Sequence, residues 1–197
     1  IPGRAALLHR LQAYDASVPV RVGQVAREPD GTLVYERRAA GDNQFKLVMQ
    51  HGWTGLPRVL VDPDALARRT RQPHAINYFA VSPGARVLAY GLSRGGSEAA
   101  VLHFIDTASG RPIGAPIDRA ELGGVAFAPD GGSVVFNRLQ ALPRGADPND
   151  KYLDSAVWQL TLGDPVSRAV KVFGRGVPGA ELKGAETPAV SFTADGR

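Results

Sequence analysis

The stretch "AVSPGARVLAYGLSRGG" (residues 80–96) returns in altered form as "AFAPDGGSVVFNR" (126–138). An earlier copy, "AREPDGTLVYERR", occupies 26–38, and a fourth, "SFTADGR", occupies 191–197. Three contain a tetrad built on Pro or Ala, Asp and Gly and the copy at 82–85 a variant of it, and the tetrads of all but the last copy are followed by an apolar run. Asp-Gly supplies a turn with positive φ, so the tetrad reads as the link between an incoming strand and a departing one. The tetrads start at Glu28, Ser82, Ala128 and Thr193, spaced by 54, 46 and 65 residues. Recurrence of this order, with about four strands per unit, is the signature of a β-propeller blade. Ser82-Pro83-Gly84-Ala85 lacks the Asp, which predicts a weaker turn there.

Outward from these copies the chain reads almost entirely as short strands. "TLVYERR", "QFKLVMQ" and "PRVLVD" form one cluster. "INYFAV", "RVLAYGL", "AVLHFID" and "RPIGAPI" form the next, and "GGVAFA", "SVVFNR", "SAVWQLTL" and "AVKVF" the third. Their lengths and the Gly and Asp punctuation predict meandering antiparallel sheets. The one predicted helix spans 2–16, where Leu7, Leu8, Leu11 and Tyr14 fall on one face of a 3.6-residue period. The long last interval holds "LQALPRGADPNDKYLDS" (139–155), read as a surface loop decorating its blade.

A chain of 197 residues, 44% hydrophobic, can bury a sizeable core. Its net charge is only +4, and Arg68, Arg69 and Arg71, the densest basic cluster, read as a solvated loop. No basic stripe interleaved with aromatics appears, so nucleic acid is not an expected partner. No apolar run approaches the ~18 residues a membrane span needs. Without Cys there is no disulfide framework, thiol nucleophile or Cys-based zinc site. That composition fits a soluble protein of the cytosol or the periplasm equally well. The chain opens on Ile1 with neither Met nor a signal pattern, and a piece of a longer protein is expected.

Gly91-Leu92-Ser93-Arg94-Gly95 matches the G-x-S-x-G pattern of a hydrolase nucleophile elbow. An elbow needs a helix after the turn, whereas "AVLHFID" predicts a strand, and the only later His is His103. Ser93 is therefore read as part of a hairpin turn. His9, His51, His74 and His103 have no metal-ligand spacing, and "DPNDKYLD" puts Lys151 where a calcium loop needs a ligand. No cofactor or metal is expected. Trp53 and Trp158 are read as core or turn packing.

"GLPRVLVDPDAL" (55–66), "INYFAVSPGARVLAYGLSRGGSE" (76–98), "VAFAPDGGSVVFNR" (125–138) and "SAVWQLTLGDPVSRAVKVF" (155–173) together resemble the start of the propeller domain of prolyl oligopeptidases. The resemblance implies an all-β fold: a partial β-propeller of four-stranded antiparallel sheets, the first blades of a seven-bladed family, preceded by a short N-terminal helix. Residues 1–16 would belong to the α/β-hydrolase domain and 17–197 to an incomplete propeller. It also implies a serine peptidase that cleaves short peptides after proline, with the propeller excluding folded proteins by size. The catalytic Ser, Asp and His would lie beyond Arg197. Two positions match places near the family's substrate cavity: Glu98, an acid that would pair with an Arg of a later blade, and Leu122, which would touch the apolar side of the substrate. The implied partners are a short peptide, the remaining blades and the hydrolase domain. Uncovered blade faces predict self-association of this piece. The rivals are a stand-alone propeller serving as a protein- or peptide-binding platform, and an oligopeptidase specific for basic residues. The sequence following Arg197 would discriminate among them.

Overall fold

The computed structural model describes residues 2–180 and 182–193. The helix, α1 (Arg4–Ser17), begins two residues later than predicted, after Gly3 in the left-handed region. None of its residues is buried, and the stripe of Leu7, Leu8, Leu11 and Tyr14 faces outward. Its tie to the rest is Asp15, which pairs with Arg21 at 2.6 Å and Arg38 at 2.9 Å.

The first sheet has four antiparallel strands in chain order: β1 (Val20–Arg27), β2 (Thr32–Ala39), β3 (Lys46–His51) and β4 (Arg58–Val61). The sequence clusters contained no counterpart of β1. Its residues are exposed or half-buried and its register slips between Val22 and Val25, so its apolar alternation is weak. The first tetrad does form the link between β1 and β2. Gly31 takes φ 86°, and the Asp30 carboxylate accepts from the Thr32 amide at 2.8 Å and its hydroxyl at 3.1 Å. Those hydrogen bonds hold the Asp30 carboxyl below its ordinary pKa.

Between the first and second sheets lies a second helix, α2 (Pro63–Thr70), where a solvated loop was expected. The signal was present: Asp62 caps the helix by accepting from the Ala65 amide at 2.9 Å, with Pro63 in the first turn. Arg71 ends it in the left-handed conformation, at φ 59°.

The second sheet comprises β5 (His74–Val81), β6 (Val87–Arg94) and β7 (Val101–Asp106). Its predicted fourth strand, "RPIGAPI", survives only as isolated pairings of Leu102 with Ile117 and Ile105 with Pro112. Pro112 and Pro116 cannot donate to a ladder, which is why no continuous strand forms. The tetrad lacking Asp is anchored by other means. The Ser82 hydroxyl accepts from the Val87 amide at 2.9 Å, and buried Thr107 donates to the Ala85 carbonyl at 2.6 Å. This fixes Gly84 and Ala85 at φ 69° and 49°.

The third sheet contains β8 (Ala126–Phe127), β9 (Ser133–Arg138), β10 (Ala156–Thr161) and β11 (Val170–Gly174), again in chain order. Residues 139–155 form a loop with one short helical turn, Pro148–Tyr152. The fourth tetrad, apart from Thr193, lies outside the described residues.

The sheets stand side by side with their first strands adjacent. The Gln24 amide reaches the Phe79 carbonyl at 3.5 Å, joining β1 to β5. The Gly84 amide donates to Glu28 at 2.7 Å, and a Cβ on Gly131 would lie 3.9 Å from the Ser82 and Pro83 side chains. All three complete tetrads therefore sit at one end of the fold. One core lies between the first two sheets (Val34, Leu47, Phe79, Leu88, Ile105) and another between the second and third (Leu102, Phe104, Phe127, Phe136, Leu160). This is the packing of consecutive blades in part of a β-propeller.

Candidate functional site

At the end opposite the tetrads lie the start of β1 just after α1, the connection from β6 to β7, the segment 118–124 leading into β8, and the loop 139–155. Strand direction dictates this grouping, because each sheet's first strand runs away from this end and each second strand returns to it. Glu98 and Leu122 both fall here.

Glu98 occupies the exposed β6–β7 connection, which Gly95 and Gly96 turn at φ 66° and 75°. Its carbonyl accepts from the Ala100 amide at 2.7 Å, while its carboxylate has no ion-pair partner among the described residues. Leu122 is 39% exposed, and Tyr152 and Leu153 of the loop 139–155 are similarly open. Gly123 and Gly124 follow it at φ 70° and 66° and redirect the chain into β8. The structure brings both residues to one end of the fold, on neighbouring sheets.

Around Leu122 the backbone is fastened by ion pairs that sequence patterns did not reveal. Lys151, from the long loop, pairs with Glu121 at 2.8 Å. Arg138 pairs with Asp118, and the Gln140 amide donates to the Asp150 carbonyl at 2.5 Å. These partners are ten to thirty residues apart in sequence, so no local period announces them. Lys151 is thus a structural cation in a loop that had only the flavour of a calcium site.

Ser93 differs from its reading as a turn residue. It lies within β6, opposite Ala75, and is only 3% exposed. Tyr90 pairs with His103 in an unbroken β6–β7 register, so alternation puts Ser93 and His103 on opposite faces of the sheet. A serine so placed has neither a base nor access to substrate.

The histidines are dispersed: His9 on α1, His51 at the end of β3, His74 buried at the start of β5, and His103 stacked on Tyr90 with ring centroids 5.2 Å apart. No group of metal-ligating side chains occurs among the described residues. Trp158 packs against the second core, but Trp53 is 77% exposed rather than packed.

Burial, aided by Arg94, pushes the His103 imidazole below its ordinary pKa. Its neutral form is favoured in the folded state, so the unfolded chain binds more protons once pH falls below about 6.5. Stability is expected to decline with acidification from that point, and His103→Gln is expected to flatten the slope. Urea unfolding between neutral and mildly acidic pH checks this. An unchanged slope in the variant rules His103 out as its source.

A family model described as the prolyl oligopeptidase N-terminal β-propeller domain matches residues 4–184. The chain belongs to the prolyl oligopeptidase family. Among solved structures, a prolyl endopeptidase from a study of inter-domain dynamics superimposes with a TM-score of 0.80 at 21% identity, covering 99% of this chain and 27% of that one. Prolyl oligopeptidase B from Galerina marginata, bound to a 35-residue substrate, gives 0.73 at 14% identity over 97% of this chain and 28% of that one. Its apo form gives 0.67 at 14% identity, over 99% and 28%. At these identities the likeness shows the fold. No curated protein sequence matches the chain. The prolyl oligopeptidase propeller region seen here spans just over a quarter of the length of these relatives. No helix among its described residues is long and apolar enough to cross a membrane.

Proposed function

We propose that this chain is part of the substrate-gating propeller of a prolyl oligopeptidase-like serine peptidase that cleaves short proline-containing peptides. The family match over residues 4–184, on sheets stacked as successive blades, is the observation that supports this reading. In it, residues 1–16 belong with a hydrolase domain and 17–197 with the propeller. Glu98 and Leu122 line the side of the blades that looks toward that domain. Leu122 contributes apolar contact to the bound peptide, and Glu98 pairs with an arginine of a later blade. The nucleophile, base and acid are supplied from outside this chain.

The test uses the protein that carries this chain together with a hydrolase domain, and a chromogenic prolyl peptide. Leu122→Ala is expected to raise KM about 3–10-fold with kcat nearly unchanged, as for lost uniform binding of one apolar side chain. Ser93→Ala is expected to leave both constants at wild-type values. The chain alone should give no turnover. Turnover by the chain alone that disappears in Ser93→Ala would overturn the reading.

A further inference from the structure

The loop 139–155 is pinned along its length. The Gln140 amide donates to the Asp150 carbonyl at 2.5 Å, Lys151 pairs with Glu121 at 2.8 Å, and the Asp154 carboxylate accepts from Arg175 at 2.8 Å. Within it, the helical turn Pro148–Tyr152 is capped by the Asp147 carboxylate, which accepts from the Asn149 amide at 2.9 Å. The Glu121 side chain is only 10% exposed, so its pair with Lys151 is better shielded than an ordinary surface ion pair. The Lys151 ammonium also stands 4.8 Å from the centre of the Tyr152 ring, within reach of a cation–π contact. One cation thus holds the residue before Leu122 on one side and the Tyr152 ring on the other.

Leu122, Tyr152 and Leu153 are exposed together at this end of the fold. The charges beside them are paired with one another: Lys151 with Glu121, and Arg119 and Arg138 with Asp118. What looks outward is an apolar group framed by ion pairs. Grouped apolar side chains at a surface mark a place of contact. Resting on the reading of this end as the substrate side, we propose that Tyr152 and Leu153 extend the Leu122 contact into one clasp for a large apolar side chain of the bound peptide, with Lys151 as its positioning residue. The pinned loop sets the clasp in advance, so little ordering is left to oppose binding. The substrate class that fits is a proline-containing peptide that also carries an aromatic or large aliphatic residue.

The test again uses the protein that carries this chain together with a hydrolase domain. Its probes are internally quenched Gly-Ser peptides with one central proline, in which a single Phe is moved through the positions on either side. At one position Phe is expected to lower KM about 3–10-fold relative to the Phe-free peptide, with kcat unchanged. Tyr152→Ala is expected to remove most of that preference while leaving the constants for the Phe-free peptide as they were. Lys151→Gln is expected to lose it too, although no apolar group is removed, and Lys151→Arg to keep it. Indifference to Phe at every position overturns the proposal, as does a preference that survives both Tyr152→Ala and Lys151→Gln. Equal losses on every peptide also overturn it, because Tyr152 then packs against another part of the protein. Leu122→Ala separates the two levels: if it raises KM while Tyr152→Ala leaves the Phe preference intact, the clasp alone fails. If no proline peptide is cleaved, the underlying reading fails and the clasp with it.

Discussion

Gly91→Ala is expected to lower the melting temperature by roughly 5–10 °C, the shift for about 2–3 kcal/mol of overpacking in a domain of this size. Gly91 is buried in β6 opposite Tyr78. A Cβ there would clash with the Tyr78 ring, 2.8 Å from Cδ1 and closer still to Cε1 and Cζ. The ring is tethered at its far end, where its hydroxyl donates to the Ala120 carbonyl at 2.6 Å, so moving it aside would disturb that bond. Burial raises the phenol pKa well above its usual value, so it remains the neutral donor this bond requires. Tyr78→Ala should be destabilising alone, yet should remove most of the penalty of Gly91→Ala when the two are combined. Additive losses in that double-mutant cycle would show that the ring is not the obstacle.

Phe136→Ala is expected to cost about 3–5 kcal/mol. The side chain is fully buried in the core between the second and third sheets, alongside Ala89, Leu102, Phe104 and Phe127. Removing it deletes apolar burial and leaves a cavity whose walls belong to two sheets, which cannot both collapse inward. The loss is a large share of the ~5–15 kcal/mol that holds an ordinary domain folded. Trp53→Ala is the contrast: a larger side chain, but 77% exposed, and expected to change stability by no more than ~0.5 kcal/mol. Urea titration of both variants tests the pair. A Phe136→Ala midpoint equal to wild type would mean that the second and third sheets do not share this core.

Most of the fold was legible because turn chemistry and strand periodicity agree at the repeated tetrads. Asp30-Gly31 and Asp130-Gly131 announce their turns, and the apolar runs after them became β2 and β9. The misses came where one of those signals was weak. The Val22–Val25 irregularity blurred the alternation of β1, and arginines at the end of α2 obscured an Asp-Pro helix start. Pro112 and Pro116 sat inside an apolar run that looked like a strand but could not sustain a ladder. At the candidate site, Glu98 and Leu122 were reached through family likeness. The fastening of Leu122's neighbours by Lys151 and Arg138 depends on tertiary folding and left no local trace.

In every sheet, hydrogen-bonded neighbours are also neighbours along the chain: β1 to β4, β5 to β7, and β8 to β11. No backbone ladder connects one sheet to the next among the described residues, and the sheets meet through side chains and a few single bonds. For an all-β architecture this gives a low contact order, because each ladder closes only short loops before it is rewarded. Each sheet can therefore assemble on the ribosome as soon as its own strands have emerged, and the next can condense onto the apolar face already waiting. Folding would then advance by vectorial, sheet-by-sheet growth from the N-terminal side, with Phe79 and Leu88 sealing the first junction before Phe127 and Phe136 seal the second.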